Sequence, residues 1–123
     1  MMFGLPSSVR IFICRGAVDL RKGFDGLSGL VSETVQEDPQ SGHLFVFFNT
    51  RRDRVKVLWW DRSGYSILYK RLEVGQFKMF DRAGGARSAF EMTGSELSLI
   101  LEGIDLRGSR RRRIWGENVS TSA

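Results

Sequence analysis

Six cations in one short stretch, Arg51, Arg52, Arg54, Lys56, Lys70 and Arg71, are interleaved with the rings of Trp60, Tyr65 and Tyr69. Long cationic side chains contact phosphates and flat rings stack on bases, so the combination suits a polyanion that carries both. Arg21 and Lys22 add two cations upstream, and Arg110, Arg111, Arg112 and Arg113 form an unbroken run near the end. An ordinary solvated face also gathers charge, and Asp53, Asp61 and Glu73 are at hand to neutralise this one. The arginine run tips the balance toward nucleic acid, although such runs also dock on acidic protein surfaces.

The acids invite a catalytic reading. Asp19, Asp25, Asp53, Asp61 and Glu73 could supply metal-binding carboxylates for phosphoryl transfer. Each has a structural role available: Asp19 as a helix N-cap, Asp25 among helix glycines, Asp53 and Asp61 in turns, Glu73 at a strand end. A metal-dependent nuclease resting on Asp53 or Asp61 is the weakest of the readings. His43 is the single histidine and starts a strand, with no cysteine or serine placed to work with it. Cys14 sits in an apolar run and reads as a small core residue. No triad, zinc knuckle, dinucleotide fingerprint or Gly-Lys-Ser/Thr phosphate loop occurs. The residues describe a binding protein without a catalytic set, a metal or a cofactor.

Composition sets the frame for these groups. At 123 residues the chain is one domain by length, and 41% hydrophobic with 27% charged residues is too apolar for a disordered chain. No apolar run approaches the roughly 20 residues that cross a bilayer, and the first residues lack the basic opening of a signal peptide. One cysteine excludes an internal disulfide, so a reducing cytoplasm is the expected location. The net charge of +5 is uneven: residues 107–123 hold five arginines and one acid, which leaves only +1 for the rest. The body is nearly neutral and the tail makes the chain basic.

The elements that must position these residues follow from periodicity. Val9–Cys14 reads as a first strand. Asp19 reads as the N-cap of a helix whose stripe is Leu20, Phe24, Leu27, Leu30, Val31 and Val35, and which ends before Asp38-Pro39. Gly23, Gly26 and Gly29 fall inside that helix, at a spacing that predicts a shallow groove for close helix-to-sheet contact. Leu44–Phe48, Arg54–Trp60 and Tyr65–Arg71 form an antiparallel meander with turns at Thr50–Asp53 and Ser63-Gly64. Trp60 opposite Tyr65 sets the second register, pairing Leu58 with Ile67, Lys56 with Tyr69 and Arg54 with Arg71. Val55, Val57, Trp59 and Leu68, with Phe45 and Phe47, then make the core face. The reverse face carries Arg54, Lys56, Tyr69 and Arg71 at one end and Leu58, Trp60, Tyr65 and Ile67 at the other. So large an apolar patch calls for a cover: the C-terminal segment, a second subunit or a nucleic acid. Ala86–Met92 reads as a short strand. Thr93-Gly94-Ser95-Glu96 has capping-box spacing for a closing helix with Leu97, Ile100, Leu101 and Ile104 inward and Gly103 as C-cap. The fold class is α+β, a strand, helix, three-stranded meander, short strand and helix over residues 1–106, with an arginine-rich, flexible tail at 107–123.

Four stretches, DLRKGFDGLSGLV (19–31), DPQSGHLFVFFNTRRDRVKVLWWD (38–61), YKRLEVGQF (69–77) and MTGSELSLILEGIDL (92–106), stand in an order that resembles one family. That family is the TnpB accessory proteins of insertion-sequence-66 bacterial transposable elements, the products of the second open reading frame. It is unrelated to the RNA-guided nucleases that share the TnpB name. RKGFDGL, SGHLFVF and KxLWWD occurring together make the resemblance specific, and it covers residues 9–106. The match takes in Arg21–Gly26, His43, Arg54, Lys56, Trp59–Asp61 and Lys70–Leu72. The chain departs at Lys78–Gly85, where the family commonly places a proline after the position of Phe77, and in its four-arginine tail. The resemblance implies a helper of a separate, larger transposase that carries the acidic catalytic residues, and it brings no catalytic residue to this chain.

The expectation is a cytoplasmic, non-catalytic transposition helper that binds DNA and its transposase, away from membranes. The nucleic-acid contacts are Arg51, Arg52, Arg54, Lys56, Lys70, Arg71, Trp60, Tyr69, Arg21, Lys22 and Arg110–Arg113. The alternative is a protein–protein adaptor or dimerisation module anchored by Leu58, Trp60, Tyr65 and Ile67, tryptophan being a favoured anchor.

Overall fold

Two stretches of the sequence are apolar without alternation, IFIC and LFVFF, and such strands belong in the middle of a sheet covered on both sides. In the computed structural model they are β1 (Ile11–Cys14) and β2 (Leu44–Phe48), every residue buried. Residues 8–78 and 88–102 are described, with the backbone of two short strands at 104–105 and 110–111. The alternating strands β3 (Arg54–Asp61) and β4 (Gly64–Arg71) lie to one side, and β5 (Ala89–Met92) lies at the opposite edge. The sheet order is β4-β3-β2-β1-β5, with β1 parallel to β2 and all other neighbours antiparallel. The expected α+β fold holds, and the register set by Trp60 and Tyr65 runs through to Arg54 opposite Arg71, as expected.

Both faces of this sheet are core. Helix α1 (Phe24–Leu30), continuing as a π-helical turn over Val31–Val35, covers Phe12, Cys14, Phe45, Phe47 and Leu58 with Leu27 and Val31, joined by Leu20 from the loop ahead of it. Helix α2 (Gly94–Leu101) covers Ile11, Ile13, Val46, Phe48, Val55 and Val57 with Leu97, Ile100 and Leu101. The expected capping box is present: Thr93 Oγ1 accepts from Glu96 N at 3.1 Å, and Thr93 N donates to Glu96 Oε1 at 2.9 Å. Strands β6 (Ile104–Asp105) and β7 (Arg110–Arg111) pair antiparallel with each other.

Several expectations are corrected. Phe45 and Phe47 do not share a face with Val55 and Val57, because β2 and β3 pair Phe45 with Leu58 and Phe47 with Lys56. Asn49 N donates to Arg54 O at 3.3 Å across a turn of even length, so odd positions of one strand face even positions of the other. Part of the apolar half of the reverse face has its cover within the chain: Leu58 is 0% exposed beneath α1 and offers nothing to a partner, Tyr65 and Ile67 pack against the same cluster, and Trp60 stays half-buried outside it. Asp19 is not the N-cap. Its carboxylate accepts from Arg21 N and the Arg21 guanidinium, closing a separate turn, and α1 begins at Phe24 behind Gly23 with no side-chain cap. Phe24 is consequently 50% exposed and outside the stripe assigned to it. The glycines form no groove on the sheet: a Cβ on Gly23 or Gly29 would meet nothing, and one on Gly26 would meet Lys22. The expected C-cap at Gly103 and the start of the short strand at Ala86 lie outside the described residues.

Candidate nucleic-acid interface

The turn from β2 to β3 carries Arg51 and Arg52, with Arg54 opening β3 behind it, and a single asparagine organises it. Asn49 Oδ1 accepts from Asp53 N at 3.1 Å and Arg54 N at 3.0 Å, while Asn49 Nδ2 donates to Asp53 Oδ1 at 2.6 Å. Short polar side chains bond nearby backbone in this way, which is why they favour turns. The segment after β4 ties the turn down from outside: Leu72 N donates to Asp53 O at 2.7 Å, Phe77 N to Arg52 O at 2.7 Å, and Gln76 Nε2 to Arg51 O at 2.7 Å. These bonds hold Arg52 at φ 57°, a left-handed conformation that costs a non-glycine residue roughly 1 kcal/mol or more. Asp53 is thereby engaged in the turn, in keeping with its expected turn role.

Between this turn and the loop at residues 17–21 lies a cleft of about 830 Å³. Arg21, Arg51, Arg54 and Lys56 line it with the ring of Tyr69, facing the carboxylates of Asp19 and Asp53. Four cations against two acids leave a surplus of two positive charges. Arg21 is engaged by Asp19, at distances of 2.8–3.1 Å. That pairing holds the Asp19 carboxyl down at about 2 from its ordinary 3.8 and raises the Arg21 guanidinium. No carboxylate among the described residues pairs with Arg51, Arg54 or Lys56. Arg54 Nη1 donates to Tyr69 Oη at 3.1 Å, and Lys56 Nζ lies 4.8 Å from the Tyr69 ring centre and donates to Lys22 O at 2.9 Å. Arg71 lines a second hollow of about 440 Å³ with Arg54, Tyr69 and Glu73, and it is bonded to Glu73 at 2.8 and 2.9 Å.

The cations read from the sequence are therefore divided. Arg21, Arg51, Arg54, Lys56, Tyr69 and Arg71 come together; Lys22 joins them through its backbone carbonyl. Lys70 points to the opposite face and donates Nζ to Leu101 O, capping the end of α2. Arg52 lines a different, smaller pocket with Cys14, Gly16 and Phe77. Trp60 lies at the far end of β3, about 13 Å along the strand from Lys56, edge-on to Tyr65 at 5.0 Å between ring centres. The side chains of Arg110–Arg113 lie outside the described residues. Asn49 and Asp19 are the members that sequence reasoning missed as parts of the cleft; the available signal was an asparagine placed just ahead of the Thr50–Asp53 turn.

The other chemical candidates resolve into structure. His43 Nδ1 accepts from Arg10 N at 2.9 Å, which ties down the entry to β1 and β2. Cys14 is buried, and that burial pushes its thiol up, away from the reactive thiolate. Among the described residues no three His, Cys, Asp or Glu side chains converge as a metal set, and no helix is long and apolar enough to cross a membrane.

The site is thus a cation-lined cleft on a small α+β domain. The chain belongs to the IS66 Orf2-like protein family, whose model matches residues 9–111, and so is an accessory protein of a transposable element. It is 34% identical over 113 residues to y4jC of Sinorhizobium fredii, covering 92% of this chain and 94% of that one. It is 38% identical over 105 residues to y4hO of the same organism, covering 84% and 89%. Both are described only as uncharacterized proteins. No solved structure matches the chain.

Proposed function

We propose that the protein assists transposition without catalysing it, by holding DNA through phosphates that enter the cleft beside the β2–β3 turn. The observation that carries this reading is the set Arg51, Arg54 and Lys56, three cations on one concave surface with no carboxylate among the described residues paired to them. Unpaired cations on a pre-tied turn can neutralise phosphates without first breaking ion pairs, and neutralisation of this kind positions DNA without reading its sequence. The element's own transposase is the natural second partner. The Trp60–Tyr65 end of the hairpin, remote from the cleft, is the surface left for it.

The test is fluorescence anisotropy on element-end DNA across a salt series. Wild-type affinity falls as salt rises, and Arg51→Ala/Arg54→Ala/Lys56→Ala weakens binding and flattens the log–log slope by roughly 0.9 for each phosphate no longer neutralised. Trp60→Ala leaves the DNA titration unchanged and abolishes the further shift caused by added transposase. DNA binding that is absent at low salt, or indifferent to the triple substitution, rejects the reading.

A further inference from the structure

Tyr69 is set differently from the other rings. It projects from the edge strand β4 and is 50% exposed, among the few large apolar side chains left open. Arg54 holds its hydroxyl, and Lys56 sits over its ring. An exposed tyrosine held by two cations is a positioned platform. Its place is also particular: Arg54 and Tyr69 line both the 830 Å³ cleft and the 440 Å³ hollow, so the ring forms the divide between them. On one side stand Arg21, Arg51 and Lys56, and on the other stands Arg71.

A double helix has little use for such a divide. Its bases are paired and stacked inside, so it would offer the cations phosphates and groove edges, and the ring no free base face. An unpaired strand offers both, with a backbone that follows cationic grooves and bases whose faces are free to stack. We infer that the cleft takes single-stranded DNA, with one base stacked on Tyr69 and the flanking phosphates lying in the two hollows. The inference rests on the DNA-binding reading above and narrows it to a strand exposed at the element's ends.

The experiment compares a labelled strand of about 12 nucleotides, a length within the range such platforms cover, with its own duplex at low salt. Wild-type protein binds the single strand more tightly. Tyr69→Ala weakens single-strand binding by about five- to a hundredfold, the effect of removing one stacked base, and weakens duplex binding less, since the duplex loses only the support that the ring gives Arg54 and Lys56. Tyr69→Phe, which keeps the ring, keeps single-strand binding, and thermal melts of all three proteins establish that each is folded. Duplex bound as tightly as the single strand, or a folded Tyr69→Ala protein that binds single strands normally, overturns this inference. If duplex binding in that case still depends on Arg51, Arg54 and Lys56, the broader phosphate-binding reading survives; if neither DNA binds, both fall.

Discussion

The two ends of the β3–β4 hairpin start from the same alternation and meet opposite fates. Leu58 and Ile67 pair across the strands, as do Lys56 and Tyr69 one step along, and all four point to the same side of the sheet. Leu58 and Ile67 pack beneath α1, and Tyr69 stands in the open. The boundary is the hydrogen bond from Lys56 Nζ to Lys22 O, just ahead of the first turn of α1. Had the helix begun at Asp19, another turn of it would have continued past Lys22. Because Asp19 instead closes a turn with Arg21, the chain crosses here as a loop, and a cleft remains. Alternation decides which face a residue takes; the start of a neighbouring helix decides whether that face is a core or a site.

The sharpest way to break this comparison is to truncate one residue from each end. Leu58→Ala removes a fully buried side chain from beneath α1 and should cost about 2–5 kcal/mol in urea denaturation. Tyr69→Ala, at a half-exposed position, should stay within about 0.5–1 kcal/mol of wild type. Equal losses would mean that the two ends are alike in packing, and that the open half of the face is not available to a ligand.

A smaller effect separates the turn's framework from its charges. Asn49→Ala leaves every cation in place but removes the acceptor for Asp53 N and Arg54 N and the donor to Asp53 Oδ1. A stability loss of about 1–3 kcal/mol is expected from the partly buried groups left without partners. DNA affinity should fall as well, measured at a temperature where the variant is folded, because Arg51 and Arg54 lose their fixed positions. Full affinity in a destabilised variant would show that the cations act as a diffuse charge.

How much of this the sequence disclosed depends on what kind of information each feature needs. The β3–β4 register was legible because a Ser-Gly turn and two alternating strands leave one pairing. The capping box was legible because its spacing is local. The parity of β2 against β3 was not, since LFVFF has no alternation and only the turn's hydrogen bonds settle it. The start of α1 was misread because aspartate serves equally as an N-cap and as a turn acceptor, and the adjacent Arg21 decides between them. The cleft follows from that decision. Its cations could be named from the sequence, but the division that sends Lys70 to α2 and Arg52 to another pocket depends on strand parity and a left-handed turn residue.

The smallest effect probes the acid that shapes the cleft. Asp19→Asn removes one of the two carboxylates facing the four cations and releases Arg21 from its bidentate pairing. That pairing is exposed, so screening limits its worth, and DNA affinity at neutral pH should rise by no more than about fivefold. The pH dependence has a fixed sign. The carboxyl titrates at about 2 in the folded chain against an ordinary 3.8, so its contribution to stability is fully present above 3.8 and is lost as pH falls through about 2. Acid unfolding of the variant should therefore be flatter than that of wild type within this window. Weaker DNA binding by Asp19→Asn would mean that the clamped pose of Arg21, not its charge, is what the cleft uses. The loop at 17–21 would then belong to the binding surface as a rigid wall, on the same footing as the turn that Asn49 holds.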